Sequence, residues 1–294
     1  MANSNTELER FVAAEVERYK GVSVPIRAWL PERIFIRKIA CGKLHPNPLD
    51  EFCDPDIGPE HSIISAYEKQ IAFGMLHTRV DPIEDPLIVE KMHPGGYMIL
   101  NGHHRWAAAM RRHLKKVPVR VVNVTHEKDI RSMLENAKHD RRATLDLDEL
   151  VFAQDGALPV EKPLPFPFRL LFRQRLRLGV PAVFHFLKTQ GYDIWVYSSK
   201  YYSMEYIRRY LRLCHAPVDG IVTGTARGKR LSADKKAQLR ALAANRYSVT
   251  LHIDERALLR THGAGEGFEE FRLTGRAEDW SAQVIDIIRE MDKP

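Results

Sequence analysis

Residues 97–110 read Tyr97-Met98-Ile99-Leu100-Asn101-Gly102-His103-His104-Arg105-Trp106-Ala107-Ala108-Ala109-Met110. Tyr97 to Leu100 is an apolar strand pattern, Asn101-Gly102 is a tight-turn dipeptide, and the alanines behind Trp106 form helix strongly. A strand that turns straight into a helix leaves the first helical N–H groups unpaired and places the positive end of the helix dipole at the turn. Arg105 adds a bidentate donor and the two histidines add shorter polar groups, so phosphate is the ligand this chemistry selects. The same string also reads as a plain Asn-Gly turn before a solvated helix start.

Working outward, 294 residues give room for two domains of ordinary size. A hydrophobic share of 44% with 28% charged residues is that of a soluble globular chain. No run approaches the ~20 apolar residues of a spanning helix, which predicts no membrane partner. Met1 to Arg10 is polar and acidic, without the layout of a signal peptide. Cys41, Cys53 and Cys214 make neither a disulfide framework nor a zinc spacing, so a reducing, cytoplasmic setting is expected. The net charge of +7 favours anionic partners: a nucleotide, a phosphorylated metabolite or a nucleic acid. The basic residues are spread out rather than gathered in a tail or an aromatic-interleaved stripe, so nucleic acid is not the favoured partner.

Along the chain, residues 6–20 read as an amphipathic helix with Leu8, Phe11 or Val12, Val16 and Tyr19 on one face and Gly21 as its stop. Val22 to Ile26 and Ile34 to Ile39 are short strand candidates. His45 to Pro59 is rich in proline and acid and is read as a surface loop, with a lid over the turn as the alternative. Ile63 to Gly74 and Glu127 to Lys138 read as helices, and Leu87 to Glu90 and Val117 to Val122 as strands. The prolines from Pro159 to Pro167 mark a boundary within 140–165.

Behind that boundary the texture is repeated helix–strand alternation: a helix over 179–191 into Ile194 to Ser199, Ser203 to Leu213 into Gly220 to Gly224, and Ala233 to Ala244 into Ser248 to Glu255. This predicts a doubly wound α/β domain with right-handed crossovers. Ligands in such sheets sit at the carboxyl ends of the strands, and three strands end in polar groups: Ser198-Ser199, Thr223-Gly224 and Asp254-Glu255.

Over roughly residues 30–140 the chain resembles the ParB/sulfiredoxin superfamily, through the strand, the Gly-x-His-Arg-like turn, the alanine-rich helix and the Val117-Pro118-Val119 strand. The resemblance implies an α+β fold over residues 1–140 and a nucleotide held by Asn101, Gly102, His103, His104 and Arg105. Glu135-Asn136 is similar to the second phosphate-contacting motif of that family, with His139 where its arginine would fall. His103 stands where sulfiredoxins need a cysteine, which excludes sulfinic acid reduction, and His103-His104-Arg105 lies nearer the free-serine-kinase branch than the Gly-Glu-Arg-Arg of ParB proper. An acid near the turn is the catalytic base in those kinases. Asp81 and Glu84 are possible counterparts here, but neither matches a motif and both read first as ordinary loop acids.

Residues 166–294 resemble the HAD-like phosphatase and phosphotransferase fold. The resemblance implies that Ser198 holds a phosphoryl oxygen, that Lys235 or Lys236 is the third-motif lysine, and that Asp254-Glu255 stands where acids bind magnesium. The first motif, Asp-x-Asp, has one candidate, Asp146-Leu147-Asp148, in a 141–165 segment otherwise read as linker. The same residues also read as a helix start or loop. Candidate catalytic residues are thus Asp146, Asp148, Ser198, Lys235 and His104, and candidate metal ligands are Asp146, Asp148 and Asp254, with Mg2+ and ATP or another nucleoside phosphate as cofactors. The expected function is phosphoryl transfer to or from a small phosphorylated or hydroxyl substrate. The alternative is a ParB-like DNA-binding or scaffold protein with a non-catalytic HAD-like domain, but no helix-turn-helix pattern follows the front half.

Overall fold

In the computed structural model, the residues described are 2–76, 82–153, 158–224, 233–263 and 267–291, with the side chains of 2–5 and 233–236 left aside. The chain forms two compact units, residues 1–123 and 124–294.

In the first unit, helix α1 (Ala2–Tyr19) is followed by β1 (Val24–Pro25), α2 (Leu30–Ile34), β2 (Arg37–Ala40) and β3 (Leu44–His45). Next come α3 (His61–Leu76), β4 (Leu87–His93), β5 (Tyr97–Asn101), α4 (His103–Arg111) and β6 (Lys116–Val121). The sheet order is β2-β6-β4-β5-β3, with β1 also pairing with β4. β4 runs parallel to β6 and antiparallel to β5. One core joins Leu8 and Val12 of α1, Ile64 and Ile71 of α3, Leu87 and Val89 of β4, and Trp106 with Ala107, Ala108 and Ala109 of α4. The alanines let α4 lie close to the sheet, and the α1 face expected from Leu8, Val12 and Tyr19 is buried, while Phe11 stays exposed. The expected strand over 34–39 is displaced: Pro31 sits in the first turn of α2, Ile34 ends that helix, and β2 begins only at Arg37.

The second unit holds α5 (Glu127–Glu135), β7 (Arg141–Asp146), α6 (Phe168–Leu171), α7 (Val180–Thr189), β8 (Tyr192–Tyr197), α8 (Met204–Leu213) and β9 (Gly220–Val222). It continues with α9 (Ala233–Arg246), β10 (Val249–Ile253), β11 (Ala257–His262), β12 (Phe268–Arg272) and α10 (Trp280–Met291). Its sheet has the order β12-β11-β10-β7-β8-β9. The four strands from β10 to β9 are parallel, and β11 and β12 extend the sheet antiparallel. Both faces are covered, and Ile194, Trp195 and Val196 of β8 and Ile221 and Val222 of β9 are accordingly apolar on both sides. Ala143, Leu145, Ile194 and Val196 pack with α7, α8 and α10. Trp195 and Val222 pack with Leu134 of α5 and with Ala243 and Tyr247 at α9.

Arg141–Asp146, expected inside a linker, is instead an inner strand, because Ala143 and Leu145 complete the apolar layer between β8 and β10. The expected linker also folds back: Phe152 bridges to Leu176 and Val160 to Arg177. The boundary expected within 140–165 partly falls on 154–157, outside the described residues.

Gly220 is paired across from Trp195, and a Cβ there would stand 2.1 Å from the buried indole ring. Gly220→Ala is therefore expected to destabilise the second unit by about 1–3 kcal/mol, the usual cost of overpacking a closed core. Thermal melting checks this. An unchanged melting temperature would mean that the ring shifts at no cost.

Candidate functional site

The β5–α4 turn is built around Gly102, whose φ of 100° lies in the left-handed region. A Cβ there would also come within 3.0 Å of Leu87 and 3.2 Å of the Arg105 guanidinium. Gly102 is the N-cap of α4, and its carbonyl accepts the Trp106 amide at 2.9 Å. Arg105 is only 8% exposed. Its guanidinium donates to the Asp85 backbone carbonyl and carboxylate, both at 2.5 Å, and to Asn101 Oδ1 at 3.1 Å. The Asp85 carboxylate is 83% exposed, so it is an anion that can leave the fork with little loss of burial.

His103 and His104 hold the 47–60 loop. His103, 2% exposed, accepts the Asn47 amide on Nε2 at 3.2 Å, and its Nδ1 lies 3.6 Å from Asp50 Oδ1. An acceptor at Nε2 puts the neutral ring's proton on Nδ1, facing Asp50. His104 Nε2 accepts the Glu60 amide at 3.2 Å. Phe52 stacks on His103 and meets His104 edge-on. The proline-rich stretch expected to be a surface loop thus plants Phe52 in the core beside the turn.

In the second unit, β7 and its two neighbours bring three expected residues to one edge of the sheet. Asp146 ends β7 and pairs with Tyr197, so Ser198 follows at the end of β8. Leu145 pairs with Ile253, so Asp254 follows at the end of β10 beside Asp146. One wide π-type turn, Leu147–Val151, comes directly after Asp146. Asp146 caps it: Oδ1 accepts the amides of Asp148 at 2.7 Å and Glu149 at 2.9 Å. Asp148 is buried, and its Oδ2 accepts from Ser198 Oγ at 2.7 Å, the Ser199 amide at 3.2 Å and Ser199 Oγ at 3.4 Å. Lys200 Nζ lies 3.6 Å from Asp148 Oδ1. Burial, with the Asp148 carboxylate nearby, pushes the Tyr202 phenol up to about 12, so Tyr202 stays neutral.

Several expected residues stand elsewhere. Glu135 and Asn136 end α5 in the second unit, and Asn136 turns its amide onto the Ser132 carbonyl at 2.7 Å. The end of β9 is spent on structure: the Thr223 amide donates to Thr125 Oγ1, and Thr223 Oγ1 donates to the Tyr202 carbonyl. Asp81 lies outside the described residues, as do the side chains of Lys235 and Lys236. Among the described residues no three His, Cys, Asp or Glu side chains gather as metal ligands, and no helix is long and apolar enough to cross a membrane. Asp85 and Lys200 carry no role in the sequence reading, and Ser199 enters it only as part of the polar end of its strand. Ser199 and Lys200 adjoin a recognised strand end, whereas Asp85 carries no local signal that it meets a side chain twenty residues on.

Residues 78–137 match the family model of the ParB N-terminal domain. The match takes in β4, β5, the Gly102 turn, α4 and β6, and runs on into α5 of the second unit. Among solved structures, the chain is similar to the C-terminally truncated chromosome-partitioning protein ParB from Caulobacter crescentus complexed with CTP-gamma-S. The identity is 25% over 36% of this chain and 56% of that one, with a TM-score of 0.24. The chain therefore spans little more than half the length of that protein. No curated protein matches.

Proposed function

We propose that this chain is a nucleotide-binding phosphohydrolase or phosphotransferase in which the β5–α4 turn holds the nucleotide phosphates and a HAD-like second unit carries out the chemistry. The observation that carries this reading is the meeting of Asp146, Ser198 and Asp254 at the carboxyl ends of three adjacent parallel strands. Amides on Asp146 Oδ1 orient Oδ2 as the nucleophile. Oδ2 attacks phosphorus, the bond to the leaving oxygen breaks, and Asp148, entering this step as the protonated acid, gives its proton to that oxygen. Water then attacks the aspartyl phosphate and gives one proton back to Asp148, so that phosphate leaves and both Asp146 and the Asp148 acid are restored.

Two carboxylates at adjacent strand ends and the Asp148 carbonyl are hard oxygen donors that fit Mg2+, so Asp146 and Asp254 would hold it. The ion would supply charge neutralisation on the phosphoryl oxygens. In the first unit, the match to the ParB N-terminal domain and the helix N-terminus behind Gly102 support phosphate binding, with Arg105 exchanging the Asp85 carboxylate for a phosphate oxygen.

The test is a screen of nucleoside triphosphates and phosphomonoesters with and without Mg2+, reading thermal shift and orthophosphate release. Nucleotide should raise the melting temperature, and EDTA should abolish phosphate release. A protein that neither shifts with any nucleotide nor releases phosphate from any substrate overturns the reading.

A further inference from the structure

Three neutral donors and one cation converge on the Asp148 carboxylate: Ser198 Oγ, the Ser199 amide and Ser199 Oγ on one oxygen, and Lys200 Nζ near the other. That is a donor set shaped for an oxyanion, one turn away from the Asp146 nucleophile, and it is filled by a side chain of the same loop system. A phosphoryl group carries three such oxygens and more charge than a carboxylate, so it can take the place of Asp148 Oδ2. Exchange also frees the Asp148 carboxyl to meet the leaving oxygen.

Lys200 is positioned for this exchange. Its amide donates to Ser198 Oγ at 3.0 Å, and its carbonyl accepts the Gly224 amide at 2.9 Å and the Tyr202 amide at 3.1 Å. The backbone is therefore tied to the ends of β8 and β9. The side chain, in contrast, is 62% exposed and can follow a ligand. A lysine ammonium is a compact point charge with three donors, suited to a phosphoryl group whose orientation changes during transfer.

We propose that Lys200, with the Ser199 hydroxyl, is a substrate-phosphate ligand that supplies the positive charge at this edge of the sheet. This rests on the HAD-like reading of the second unit. The competing description, an exposed Lys200–Asp148 ion pair of little consequence, makes the opposite prediction for phosphate affinity.

The experiment uses the full chain with Mg2+ and measures inorganic phosphate binding by calorimetry alongside kcat and KM for the best phosphomonoester. Lys200→Met should weaken phosphate binding and raise KM by about tenfold or more, while Lys200→Arg, which keeps the positive charge on a bulkier planar group, should lose clearly less than Lys200→Met. Lys200→Met binding phosphate like the wild type would overturn the assignment. Equal loss in both variants would place the effect in loop geometry and overturn it too. If the wild type turns over, Asp146→Asn is inactive and Lys200→Met is unaffected, only the Lys200 assignment falls. A wild type that neither binds nor releases phosphate removes the parent reading and this one together.

Discussion

Asp146→Asn is expected to abolish Mg2+-dependent phosphate release, a loss on the order of 10⁴-fold or more, as when a nucleophile is removed from other covalent mechanisms. The reason is local. Asn keeps the Oδ1 acceptor that receives the Asp148 and Glu149 amides, so the cap on the turn survives. It replaces the oxygen proposed to attack phosphorus with an amide nitrogen whose lone pair is delocalised into the carbonyl. Stability should change little, because only the oxygen without a capping role is altered. Phosphate release is measured at saturating substrate, and thermal melting confirms the fold. Activity that survives in Asp146→Asn would assign the chemistry away from this strand end, with the first unit as the next place to look.

Arg105→Ala is expected to weaken nucleotide binding at least tenfold, from loss of a charge-assisted bidentate contact worth about 1.5–3 kcal/mol. Calorimetry with ATP, ADP and CTP measures it. The structure adds a second variant. Arg105 Nη1 is engaged by Asp85 and Nη2 by Asn101, so on the proposed function a phosphate that takes the Nη1 side displaces the Asp85 carboxylate. Asp85→Asn should therefore bind nucleotide at least as tightly as the wild type. Truncation leaves Asp85 and Asn101 without this donor, but the Asp85 carboxylate is already in water and Asn101 is half-buried rather than sealed. The first unit should therefore stay folded, which circular dichroism checks. Unchanged affinity in Arg105→Ala would remove the turn from the binding site.

Much of the architecture is legible from local pattern. The α4 helix, the β5 strand before it and the glycine between them follow from an apolar run, a residue able to take φ of 100°, and an alanine series. The alternation from α7 to β10 follows from glycine stops and apolar runs. Elements without such punctuation were not legible. β11 and β12 are mixed polar strands on the sheet margin, and α10 follows a charged loop. β7 looked like linker because its apolar run is short and flanked by Arg141, Arg142 and Asp146, and its burial depends on neighbours 50 and more residues away.

What the sequence by itself determined are the local matters: which segments are helix or strand, where Gly102 must turn, and that acids and serines cluster at strand ends. Tertiary structure alone decided the pairings. The Arg105 fork is occupied by Asp85, His103 and His104 are clasped by Asn47, Phe52 and Glu60, and Ser198, Ser199 and Lys200 surround Asp148. The physical reason is that caps, turns and periodicity act within a few residues, whereas a buried charge takes its partner from whatever chain the packed sheet brings beside it.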